Sequence, residues 1–227
     1  MPVRLARAIG VEEAYRLWAG AYDRDLNPIA ALERRTVRER LLPLCGRRLL
    51  DIGTGTGYWL AYARSHGARA YGIDLSAEML SEAAKKPGLR NNLIRADIAR
   101  LPFADESADI AICSLAIGYA ASVGNLFREM ARVAQRVVVS DLHEDAMREG
   151  WRRCFEIAGR SCEIENFPHT ARELDKAASD SGLRIEWRFE ARLGEPERGI
   201  FVCAAREHAF ADACRIPALL ATCWVRS

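Results

Sequence analysis

The chain has 227 residues, half of them hydrophobic, with 33 basic and 31 acidic side chains and a formal net charge of +2. That composition suits one α/β domain with a full core and excludes global disorder. So balanced a charge gives no ground for a nucleic-acid partner, and no apolar run is long enough to predict a membrane span.

In chain order, residues 11–22 read as a helix with Ala14, Leu17, Trp18 and Ala21 on one face. A second helix over 29–42 is introduced by Asn27-Pro28, and its Glu33-Arg34-Arg35 and Arg38-Glu39-Arg40 runs read as a solvated face. Elements then alternate: strand 47–52, helix 57–66, strand 69–74, helix 76–86, strand 92–97, strand 108–114, helix 122–134 and strand 136–141. Ser76 is placed to cap its helix. An insert over about 142–169 follows, with a helical stretch carrying Trp151, Arg152, Arg153 and Phe155, then a short strand or lid over 161–167. Helix 170–181, strand 183–193, a break at 194–197, a helix over 199–214 and a last strand at 218–225 complete the chain. The alternation predicts a parallel sheet with helices on both faces and a ligand crevice at the carboxyl ends of the strands.

Three signals fall at those ends. The first is Leu49-Leu50-Asp51-Ile52-Gly53-Thr54-Gly55-Thr56-Gly57, a buried strand running into a glycine-rich turn. Asp74 closes the second strand, where it can accept bonds from a ribose, and Asp97 closes the third. The dinucleotide fingerprint Gly-x-Gly-x-x-Gly fails, because its third glycine position falls on Tyr58. An acid before the loop suits an ammonium group better than a pyrophosphate. These features favour a cofactor with a cationic amino-acid end and a nucleoside end, S-adenosylmethionine.

With Tyr71-Gly-Ile-Asp-Leu-Ser-Ala-Glu-Met-Leu, Ala96-Asp-Ile-Ala-Arg-Leu-Pro-Phe-Ala-Asp and Ser107-Ala-Asp-Ile-Ala-Ile-Cys-Ser, the loop forms an ordered set across residues 45–141. The chain thereby resembles the class I S-adenosylmethionine-dependent methyltransferases, in the small-molecule branch of malonyl-carrier O-methyltransferases and quinone C-methyltransferases. The resemblance implies a doubly wound, Rossmann-like sheet of seven mostly parallel strands with an antiparallel last strand. It implies one domain over 1–227, with a helical lid over about 1–44. Asp51, Gly53, Thr54, Gly55 and Gly57 then face the methionyl portion, and Asp74 binds the ribose. Asp97 meets the adenine amino group, and Leu75, Met79, Ile98 and Ser114 complete the cofactor set. Tyr22, in the segment Leu17–Asp23, reaches toward the cofactor carboxylate. Two departures stand out: Arg132–Arg136 replaces the usual Pro-Gly-Gly turn, and Gly118-Tyr119 replaces a histidine pair.

Methyl transfer mainly requires holding an acceptor in line and keeping water out; a base is needed only when the acceptor keeps its proton. His143, just past the fifth strand, is the first candidate base, followed by His169 in the lid. Tyr119 is a candidate for positioning the acceptor. Trp151 and Phe155 are candidate walls of an apolar pocket, and Arg148, Arg152, Arg153 and Arg160 a candidate clamp for an anion. The seven cysteines form no Cys-x-x-Cys pair and no zinc spacing, so no metal is expected. The expectation is a cytoplasmic enzyme, monomer or homodimer, acting on a small molecule without nucleic acid or membrane. The competing reading is a cofactor-binding protein of this fold that catalyses another reaction or regulates.

Overall fold

The computed structural model describes residues 8–157 and 159–227. Two helices come first, α1 (Val11–Tyr22) and α2 (Pro28–Leu41). Asn27 caps α2, its Oδ1 accepting from the N–H groups of Ile29 (2.9 Å) and Ala30 (3.2 Å), with Pro28 at the first position, where no N–H is needed. The alternating part follows as β1 (Arg48–Ile52), α3 (Tyr58–Ser65), β2 (Arg69–Asp74), α4 (Ala77–Ala83), β3 (Leu93–Arg95), β4 (Ala108–Ser114), α5 (Val123–Val133) and β5 (Ala134–Leu142). Then come α6 (Glu144–Arg148), β6 (Cys154–Ile157), β7 (Arg160–Glu163), α7 (Ala171–Asp180), β8 (Leu183–Ala191), α8 (Glu195–Cys203), α9 (Phe210–Ala213) and β9 (Leu219–Arg226).

Seven strands make one sheet in the order β3-β2-β1-β4-β5-β9-β8. Pairing from β3 through β5 is parallel, and β9 runs antiparallel to both β5 and β8. Side chains alternate across it: Ala111 and Cys113 enter a core with Phe127, Met130, Leu174 and Trp224, while Ile110 and Ile112 join Leu32, Leu41, Trp59 and Leu60 on the other face. Each fully buried large apolar side chain contributes about 1.5–3 kcal/mol, so these two layers supply the main driving force. Strand order reverses between β1 and β4, which places the crevice there.

The expected elements are present with shifted ends, and two are replaced. No helix runs through Trp151–Phe155: β6 and β7 form an antiparallel hairpin, with Phe155 opposite Cys162. Only Phe155 of the first strand is fully buried, and period-two burial is what a strand allows. The helix expected over 199–214 begins at Glu195 and breaks after Cys203, where Ala205 takes a φ of 53°. The Gly194–Glu197 stretch is therefore a helix start, not a break: Glu197 Oε2 accepts from Gly194 N–H at 3.0 Å, and proline is tolerated in the first turn. Finally, a third cluster joins Ala14 and Trp18 of α1 to Phe155 and Ile164, seating the first helix on the hairpin.

Candidate active site

The glycine turn is built to expose its backbone. Gly53 and Gly55 have φ of 71° and 53°, the left-handed region open to glycine. A Cβ on Gly53 would lie 2.6 Å from that of Ala116, so the loop is pressed against the segment leaving β4. At Gly55 the corresponding space is open, and its N–H donates to Asp74 Oδ2 at 2.8 Å. The result is a cradle closed at one end and open at the other.

The acids play different parts. Asp51 is 2% exposed, and its Oδ2 accepts from Thr54 Oγ1 (2.6 Å) and from Leu60 N–H (2.9 Å). Both side chains thereby tie the loop to α3. Burial pushes the Asp51 carboxyl up to about 7, against the pull of those two bonds and helped by nearby Asp74. Asp74 also accepts from Ser76 N–H at 2.9 Å, so each of its oxygens keeps a lone pair for a vicinal hydroxyl. Burial holds its carboxyl above the usual range, opposed by its backbone bonds to Ser76, Gly55 and Leu75. Leu75, beside it, is 50% exposed, an apolar surface suited to a base. Asp97 is exposed with Oδ1 accepting from Ala99 N–H at 2.8 Å, and Ile98 is half-buried. Met79 is core at 1% exposure, and half-buried Ser114 donates its Oγ to Glu33 at 2.9 Å. An open cradle at Gly55, flanked by Asp74, Leu75 and Asp97, fits a nucleoside carrying an amino-acid tail.

The first helix is latched to this loop. Thr56 Oγ1 donates to Asp23 Oδ1 at 2.6 Å, and Lys86 Nζ lies 2.7 Å from Asp23 Oδ2. Burial raises the Asp23 carboxyl, but Lys86 and Thr56 outweigh it and the net shift is downward. Removing the latch with Asp23→Ala is expected to weaken cofactor binding about threefold to tenfold, the worth of one or two partly exposed hydrogen bonds. Titration calorimetry reads this directly, and an unchanged dissociation constant would detach the helix from cofactor binding.

Beyond the β4 exit lies a cavity of about 820 Å³ whose wall includes Tyr15, Trp18, Tyr22, Tyr119, Arg153 and Phe155. Trp18 and Phe155 stack at 5.1 Å, and Tyr15 donates its hydroxyl to that of Tyr119 at 2.6 Å. Of the sequence candidates, Tyr119, Tyr22 and Trp151 line this space. Neither candidate histidine does. His143 is 4% exposed and caps α6, its Nδ1 accepting from Asp145 N–H at 3.1 Å; His169 Nε2 is held 2.8 Å from Ala120 O. Of the four clamp arginines, Arg152 and Arg153 line the cavity, whereas Arg148 pairs with Glu144 and Asp145 of its own helix.

One buried acid was hidden in the sequence. Glu33, read as part of a solvated face, is 2% exposed beneath the carboxyl edge of the sheet. Its oxygens accept from Trp59 Nε1 (3.1 and 3.2 Å), Ser114 Oγ (2.9 Å) and Ser140 Oγ (2.8 Å), joining α2 to α3, β4 and β5. Burial pushes this carboxyl up to about 7, opposed by its bonds to Ser140 and Ser114, by Arg34 and by Trp59. Glu33 and Asp51 both bind a proton more tightly folded than unfolded. The stability they contribute is complete below about pH 4 and is lost as the pH rises through about 7. The ligand-free protein is therefore expected to melt at a lower temperature at about pH 8 than at about pH 5.5, with Glu33→Gln shrinking the difference. Equal melting temperatures for wild type and variant at both pH values would contradict this.

The sheet order, the switch point and the open glycine cradle define a nucleotide-cofactor α/β protein. Residues 50–139 match a family model described as a methyltransferase domain. Over 129 residues the chain is 36% identical to a malonyl-[acyl-carrier protein] O-methyltransferase of Pectobacterium atrosepticum, covering 55% of this chain and 49% of that protein. A protein of the same name from Erwinia pyrifoliae is 33% identical over 176 residues, 73% of this chain and 64% of its own. Among solved structures, an S-adenosylmethionine dependent methyltransferase from Mesorhizobium loti aligns with a TM-score of 0.66 at 25% identity, covering 87% of this chain and 100% of that one. The chain spans about half the length of the curated relatives it matches. It carries a methyltransferase domain over residues 50–139 and is similar to S-adenosylmethionine-dependent methyltransferases.

Proposed function

We propose that this protein transfers a methyl group from S-adenosylmethionine to a small-molecule acceptor held in the aromatic-walled cavity. The observation that carries the reading is the shared β4 exit: Ala116 presses on Gly53 of the cofactor cradle, while Leu115 and Tyr119 on either side line the cavity. The cofactor supplies an electrophilic methyl group on a positively charged sulfur. Gly53 and Gly55 would take the methionyl end against bare backbone, with the Asp74 carboxylate accepting from the ribose hydroxyls. Leu75 and Asp97 would hold the adenine ring and its amino group. Tyr22, at the end of the latched helix, would reach the cofactor carboxylate, and Trp18 with Phe155 would exclude water from the acceptor.

Residues 8–44 serve in this reading as a lid and 142–169 as an insert, with residues 1–7 and 158 outside the described residues; the placement of α1 and the β6–β7 hairpin on the cavity wall supports it. Among the described residues no helix is long and apolar enough to cross a membrane, in keeping with a cytoplasmic monomer or homodimer whose near-neutral charge favours no nucleic acid. Incubating the protein with methyl-labelled cofactor and a panel of acids, phenols and amines tests the reading. Label in one acceptor class with release of S-adenosylhomocysteine is expected. Cofactor binding without transfer to any acceptor would support the non-transferring alternative.

A further inference from the structure

Three segments far apart in sequence meet in the cavity wall beside the β4 exit. Arg153, from the start of the hairpin, is only 13% exposed in its side chain and pairs with Asp141 at the end of β5. Its Nη1 donates to Leu115 O at 2.9 Å, and its guanidinium lies 4.9 Å over the ring of Tyr119. A guanidinium has five N–H groups, and two of these are committed, to Asp141 and Leu115; the buried Nε–H has no partner among the described residues. Gly118 makes room for the pair, because a Cβ there would lie 2.9 Å from Asp141 Oδ2 and 3.0 Å from Arg153 Nη2. Tyr15 spends its proton on Tyr119, which leaves the Tyr119 hydroxyl proton free for a third group. Burial, with Tyr119 and Tyr22 nearby, raises the Tyr15 hydroxyl well above its ordinary value, so it stays a donor at neutral pH.

The groups the cluster leaves unpaired are donors, on Arg153 and the Tyr119 hydroxyl, and an anionic acceptor matches them. Resting on the methyltransferase reading, we infer that the acceptor is a free amphipathic carboxylic acid, its carboxylate on Arg153 and Tyr119 and its apolar body against Trp18, Trp151 and Phe155. Asp141 is a positioning residue here, fixing Arg153 rather than touching the acceptor. The cavity, about 820 Å³ with Trp18, Trp151 and Phe155 in its wall, has room for a molecule of ten or more carbons laid against those rings. No base is required: a carboxylate oxygen takes the methyl group with its own lone pair, the carbon–sulfur bond breaks, and its electrons stay on sulfur. No proton moves, which agrees with both candidate histidines being turned away. Of the two carboxylates on the cavity wall, Asp25 accepts from Trp18 Nε1, and Glu156 is exposed with Arg206 3.9 Å away.

Calorimetric titration of the protein saturated with S-adenosylhomocysteine tests this with 2-naphthylacetate and decanoate as probes, against their amides and malonate. At least one long acid is expected to bind about tenfold or more tighter than its amide and than malonate. Arg153→Lys keeps the charge opposite Asp141 and Tyr119→Phe removes one hydroxyl, so neither strips the pair outright. Each should cut the acid-over-amide preference about tenfold without changing the affinity for S-adenosylhomocysteine. Methyl-labelled cofactor should then yield the methyl ester of the acid that binds. Equal binding of acid and amide, a preference that survives both substitutions, or binding of malonate alone would overturn the inference. Failure of both acids while S-adenosylhomocysteine binds would sink this inference alone, and failure of S-adenosylhomocysteine to bind would sink the methyltransferase reading with it.

Discussion

Gly55→Val is expected to abolish measurable binding of S-adenosylmethionine while leaving a folded protein. Position 55 sits at φ 53°, where a β-branched residue is strained, and left-handed backbone costs an ordinary residue roughly 1–2 kcal/mol. That strain is tolerable for a domain of ordinary stability. The steric effect is larger, because the open space beside Gly55 is the space the cofactor occupies in the proposed pose. The strained loop would also slacken the bond from Gly55 N–H to Asp74. Circular dichroism separates the two consequences: a native spectrum with no calorimetric heat on adding cofactor is the expected outcome. A variant that folds and still binds within threefold of wild type would place the cofactor elsewhere.

Asp74→Ala ranks second. The substitution removes two ribose contacts, each worth about 1.5–3 kcal/mol as a hydrogen bond to a charged group, so a rise of at least a hundredfold in the dissociation constant is expected. It also strips the N–H groups of Gly55 and Ser76 of their acceptor, which loosens both the cradle and the start of α4. Asp74→Asn keeps one acceptor oxygen and should fall between the two. If Ala and Asn bind the cofactor equally well, Asp74 braces the loop and does not touch the ribose.

The cofactor half of the site was legible because its determinants are local. The glycines that need left-handed backbone, Asp74 at the last position of β2, and Ser76 with its oxygen on Met79 N–H at 3.1 Å all declare themselves within a few residues. The acceptor half depends on contacts across the chain. Arg153 meets Asp141, Leu115 and Tyr119 only because a hairpin, not a helix, carries it over the strand ends. Glu33 sits in a run of charges that resembles a solvated face. Only the Trp59, Ser114 and Ser140 donors, 26, 81 and 107 residues away, allow that carboxyl to be buried. Proximity to the end of β5 makes His143 a candidate in the sequence, but only the structure shows its ring turned back to cap α6. Tyr15 could have been found: it lies three and seven residues before Trp18 and Tyr22, on the same stripe of α1.

The central claim is that the glycine cradle takes S-adenosylmethionine. Calorimetric titration of the cofactor-stripped protein with S-adenosylmethionine, S-adenosylhomocysteine and the nicotinamide dinucleotides tests it most directly. The account predicts saturable one-to-one binding of both sulfur nucleosides, lost in Gly55→Val, and no heat from either dinucleotide. Binding of a nicotinamide dinucleotide in their place, or of neither sulfur nucleoside, would contradict it.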